Sequence, residues 1–167
     1  MNLAEMRTAV DDAFDMALLH HGYTDYIRDY ELIIQFTADP STGIETSTKR
    51  YLFTHCVSAN ARTSVPPSTW AYSLDERLIE EQLADDVDGY VWGVRWQVLY
   101  PGIEIIAGSE SAHAWEASVG VPFFEAVIES NGHTLNLIFS DLRVEEVCPG
   151  YAPFVLGEPF RDGKIPL

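Results

Sequence analysis

Hydrophobic side chains recur at helical spacing from the first residues of the chain. At about 100° per residue, Leu3, Met6, Val10, Ala13, Phe14, Ala17 and Leu18 share one arc, and Glu5, Asp11, Asp12 and Asp15 share the opposite one. Asn2 and Glu5 have the spacing of a capping box, and Gly22 suits a helix stop. The pattern predicts a helix reaching His20-His21, with the two imidazoles at its negative end and an acidic stripe outside.

The period then changes to two. Tyr30, Leu32, Ile34, Phe36 and Ala38 alternate with Glu31, Gln35 and Thr37, which predicts a half-buried strand. Asp39-Pro40-Ser41-Thr42-Gly43 is turn chemistry, and a second strand over Ser47 to Ala59 would close a hairpin. Ser64 to Ser73, with Pro66-Pro67, reads as a loop. Ser73-Leu74-Asp75-Glu76 then opens a second helix, less regular than the first.

Tyr90, Trp92, Val94, Trp96, Val98 and Tyr100 alternate up to Pro101-Gly102, a turn signal. A two-residue hairpin there would set Val98 against Ile105 and Trp96 against Ala107. Asn131-Gly132 is the strongest short hairpin signal. Closing it puts Phe124 opposite Phe139, Ala126 opposite Leu137 and Ile128 opposite Leu135, six apolar side chains on one face. Residues 109–118 fit either a short helix or an edge strand. The tail from Pro149 carries four prolines and reads as extended. The sum is an α+β fold, a mainly antiparallel sheet of about six strands packed with two helices, in one globular domain over residues 1–167.

Composition supports a packed core. The chain is 47% hydrophobic and 12% aromatic, unlike an acidic disordered segment. A chain of this length buries roughly two-thirds of its surface without disulfides or metals. Cys56 and Cys148 lack metal-ligand spacing and read as reduced thiols. The N-terminus lacks the pattern of a secretory signal, and no apolar run is long enough to span a membrane, so a soluble cytoplasmic protein is expected.

Charge narrows the partners. Twenty-six Asp and Glu face ten Lys and Arg, a net charge of -16. Such a surface repels nucleic acid and anionic lipid. Between Asp75 and Asp88 seven carboxylates face Arg77 alone. As a docking face for a basic protein this segment would act through Asp75, Glu76, Glu80, Glu81, Asp85 and Asp86, with Trp70 nearby as an aromatic anchor.

Catalytic patterns are weak. No Gly-rich phosphate loop or Gly-x-Ser-x-Gly elbow is present, and no cofactor or metal is expected. His113 and Glu116 would share a helical face but are one ligand short of a metal site. His55 and Cys56 would point to opposite faces of a strand, too far apart to act as thiol and base. The leading expectation is a non-catalytic acidic protein that binds a basic partner, with the size and charge of small inhibitors and toxin-immunity proteins. The alternatives are a ligand binder or hydrolase-type enzyme using His55, Arg95 and His113 on a concave sheet face, and a structural homodimer subunit.

Overall fold

The structure, a computed structural model, describes residues 1–24, 27–37, 40–67, 97–148 and 151. Helix α1 spans Leu3–Asp11 and is capped as its sequence predicts. Asn2 Oδ1 accepts from the Glu5 amide and Glu5 Oε2 accepts from the Asn2 amide, both at 2.9 Å. Met6 and Val10 are buried on its inner face.

The helix ends earlier than its periodicity suggests. After Asp11 the chain reverses through Asp15, which has φ 61°. The Asp15 amide bonds Leu99 O and the Leu99 amide bonds Met16 O, both at 2.9 Å. Strand β1, Ala17–Thr24, then pairs along β2, Asp29–Phe36. His20 and His21 therefore lie in a strand, not at a helix end. Phe14, expected inside, is exposed and tilts against Tyr100. A short apolar run fits either period, and here the ladder with β2 decides.

Strand β3, Ser47–Thr54, pairs with β2 so that Tyr30 faces Phe53 and Leu32 faces Tyr51. It stops at Thr54 instead of running to Ala59. His55 has φ 51°, which breaks the pleat, and β4, Ser58–Thr63, joins a different sheet. A second switch follows β5, Gln97–Val98. β5 pairs with β1, whereas β6, Gly102–Ala107, pairs with the next strand, β7. The expected pairing of Val98 with Ile105 is thus replaced by Val98 with Ala17 and Ile105 with Ala126. Leu99, wholly buried, anchors the connection between the sheets, and Gly102 at φ 115° supplies a conformation open to glycine.

Strands β7, Phe124–Glu129, and β8, His133–Phe139, form the Asn131-Gly132 hairpin in the predicted register, with Phe124 opposite Phe139, Ala126 opposite Leu137 and Ile128 opposite Leu135. Strand β9, Asp141–Val147, returns to pair with β3. The fold is α+β with two antiparallel sheets, ordered β5-β1-β2-β3-β9 and β4-β8-β7-β6. Among the described residues these nine strands exceed the expected six because the run from Ser47 to Ala59 splits into β3 and β4, the end of the expected first helix forms β1, and β9 adds a strand the pattern did not mark.

The two sheets share one core. Tyr30, Leu32, Ile34 and Phe53 from the first meet Ile105, Ile128, Leu137 and Phe139 from the second. Phe53 and Phe139 meet edge to face at 4.9 Å, a favourable aromatic geometry. Helix α1 seals one side, where Tyr51 Oη donates to Ala9 O at 2.9 Å and Arg7 bonds Ile105 O. Residues 109–118 resolve as helix α2, Glu110–Val119, with Ser109 as N-cap and Gly120 at φ 81° closing it. The segment expected as a helix from Leu74 lies outside the described residues, as does the tail apart from Tyr151.

Candidate functional site

A hollow of about 740 Å³ opens where three distant segments meet. The end of β1 supplies Tyr23, and the connection from β1 to β2 supplies Ile27 and Arg28. The β3–β4 corner supplies His55, Cys56 and Val57. Helix α2 and the residues after it supply Trp115, Val119, Val121 and Phe123.

Asp29 holds the first two segments together. Its carboxylate is buried, and Oδ1 accepts from the His55 amide at 2.9 Å. Arg28 closes a two-pronged pair on the same group, Nε to Oδ1 at 3.1 Å and Nη2 to Oδ2 at 2.9 Å. Burial alone would raise the Asp29 carboxyl, but the Arg28 guanidinium and the His55 amide outweigh it and hold the acid below its ordinary value. The Cys56 amide donates to Arg28 O at 2.7 Å, and the Val57 amide donates to Ile138 O at 2.9 Å. The corner is therefore tied to both sheets. Ala112, Phe123 and Ile138 form a small second core with Val57 beside it, which seats α2 against the corner.

The floor is not chemically activated. Burial pushes the Cys56 thiol up to about 11, and Sγ donates to Ser58 O at 3.2 Å. A thiol protonated at neutral pH is a poor nucleophile. Tyr23 stands beside it, raised in turn by burial. Behind Tyr23, the Tyr30 ring packs edge-on at 5.0 Å, and Tyr30 Oη meets His21 Nδ1 at 2.6 Å. Burial lifts Tyr30 to about 12 and, with His133 and His20 near, lowers His21.

Of the residues singled out from the sequence, His55 lines the hollow. Its neighbour Cys56 does too, because the two sit at a corner and not within a strand. His113 and Glu116 lie on α2 with Nδ1 and Oε2 3.6 Å apart, both exposed and outside the lining. His55 and His113 therefore do not share this hollow, and Arg95 lies outside the described residues. Trp70, Asp75, Glu76, Glu80, Glu81, Asp85 and Asp86 also lie outside them. Sequence reasoning missed Ile27, Val119, Val121 and Phe123. The one available signal was the apolar run Val119-Gly120-Val121-Pro122-Phe123 just past a helix stop.

A second polar cluster is structural. Ser130 Oγ donates to Gln97 Oε1 at 2.6 Å, and the Gln97 amide donates to His133 Nδ1 at 2.7 Å. The glutamine separates the serine from the imidazole, so the histidine is not placed to take the hydroxyl proton. The cluster ties β5 to the β7–β8 hairpin. Among the described residues no three His, Cys, Asp or Glu side chains group as a metal site would require, and no helix is long and apolar enough to cross a membrane.

The site thus offers an apolar recess with fixed polar edges. No curated protein matches the chain. Its sequence from residue 2 to residue 157 matches the family model for YxiG-like proteins, and with nearly its whole length covered, the chain belongs to the YxiG-like protein family.

Proposed function

We propose that this chain is a non-catalytic, acidic cytoplasmic protein that docks and neutralises a basic protein partner, an inhibitor or immunity-type role. One observation carries the reading. Among the described residues eight large hydrophobic side chains are exposed, and four of them, Ile27 (74%), Trp115 (41%), Val119 (53%) and Val121 (41%), line the same hollow. Clustered exposed apolar groups mark binding surfaces, whereas scattered ones need no explanation. The protonated thiol at the floor favours binding over thiol-based turnover. The charge of -16 selects a basic partner and speeds its approach. The two unpaired cysteines suit a reducing compartment.

The test is affinity isolation with the tagged chain from its own cells, against Val119→Asp and Val121→Asp variants. The reading expects a basic protein retained in a defined stoichiometric complex, weakened by added salt and lost in both variants. An acidic partner, or a complex indifferent to salt, overturns it. The volume of the hollow also falls in the range of small-molecule sites, which favours an apolar small ligand as the second reading.

A further inference from the structure

We infer that the hollow is an anchor site for one aromatic side chain, an indole or a phenol, presented by that basic partner. The inference rests on the binding-protein reading and adds what enters the recess. Trp115 and Phe123 pack with centroids 6.1 Å apart at 37°, forming an aromatic wall against which a third ring can lie edge to face. The Cys56 sulfur at the floor is a soft, polarisable neighbour for a ring. The Arg28 guanidinium, fixed by its two bonds to Asp29 with its side chain 62% exposed, offers a planar cation at the rim.

The polar tip of an indole or phenol also finds a partner. His55 is exposed, its left-handed backbone held by the amide bond to Asp29, so its imidazole belongs to the mouth of the hollow. An aliphatic side chain would enter the same recess without using the wall, the cation or the imidazole.

Charge supports the same occupant. Arg28 is matched by Asp29, so the rim adds no net positive charge, while Glu110 and Glu116 on α2 add to the general negative field. An aromatic residue flanked by lysines or arginines suits these surroundings. The corner wall is pinned by backbone bonds from Cys56 and Val57, so that side of the recess needs little ordering on binding.

The test titrates the full chain with three acetylated, amidated tripeptides: lysine–tryptophan–lysine, lysine–leucine–lysine and glutamate–tryptophan–glutamate. The readout is the backbone amide shifts of Cys56, Val119, Val121 and Phe123. The expected result is saturable one-to-one binding of the lysine–tryptophan peptide, about three- to tenfold tighter than the leucine peptide. Val119→Asp, at an exposed position, keeps its far-ultraviolet dichroism and loses the shifts. Equal binding of the leucine peptide, shifts centred elsewhere, or no shift with peptide at about 10 mM overturns the inference. Equal binding of the glutamate and lysine tryptophan peptides upholds the aromatic site and overturns the basic-partner reading, so the two failures are distinct.

Discussion

The Asp29 carboxylate and the His55 amide, 26 residues apart, are joined by a 2.9 Å hydrogen bond that binds the start of β2 to the corner after β3. The bond stands beside the ion pair with Arg28, so one buried acid organises two walls of the hollow. Asp29→Asn retains an acceptor for the amide but loses the charge that holds the guanidinium. Urea unfolding should show a loss of about 1–3 kcal/mol at neutral pH. Because the carboxyl is held below its ordinary value, its contribution is present above pH 3.8 and lost as pH falls through the lower folded value. The wild-type advantage over the variant should therefore shrink in strong acid.

A second buried acid sits on the outer face of the first sheet. Glu31 is wholly buried, with Oε2 2.6 Å from Arg50 Nε and Oε1 without a hydrogen-bond partner. Arg50 also reaches Glu145 at 2.9 Å. Arg50→Leu would leave the Glu31 charge uncompensated and should cost about 3–5 kcal/mol in denaturant unfolding. The double variant Glu31→Leu with Arg50→Leu should recover most of that loss, because it removes the stranded charge. A double variant as unstable as the single one would show that the pair is worth more than its burial costs.

The strand bearing this acid illustrates what was legible in the sequence. Tyr30, Leu32 and Ile34 sit on the core face as their alternation predicts, and the Asn131-Gly132 turn sets the β7–β8 register without adjustment. These features are local. The sheet switches are not: His55 at φ 51° splits the run that read as one strand from Ser47 to Ala59, and the Leu99 to Gly102 connection carries the chain to the other sheet where the turn signal suggested a hairpin. The end of α1 was hidden because Ala17 and Leu18 satisfy the helical arc as well as the strand. The hollow takes a few residues from each of three segments, and no single segment carries enough apolar pattern to mark it.

The pairing of β1 with β2 places His21 against the core, bonded to Tyr30 Oη at 2.6 Å. Burial, then His133 and His20, lower its proton affinity from 6.5. The unfolded chain therefore binds the proton more tightly than the folded one. Stability should be complete above about pH 6.5 and decline as pH falls from there toward the lower folded value. Thermal unfolding across pH 7 to 5 checks the slope. His21→Phe removes the titrating group, so its curve should be flatter there, even though Tyr30 loses its partner and overall stability drops.

Ile27 is the clearest case of local strain at the hollow. It has φ 64°, a left-handed conformation rare for a β-branched side chain, and it leaves 74% of its surface exposed. Such strain costs on the order of 1–3 kcal/mol, and little burial offsets it. Glycine adopts this backbone freely but is also more mobile in the unfolded chain. Ile27→Gly should therefore raise stability by about 0.5–1 kcal/mol in urea unfolding. The same change deletes one apolar wall, so partner affinity should fall by about tenfold, within the usual range for an interface anchor. A variant that gains stability and binds as before would show that the strained isoleucine serves neither folding nor docking. A variant that loses both would place its side chain in the packing of the hollow.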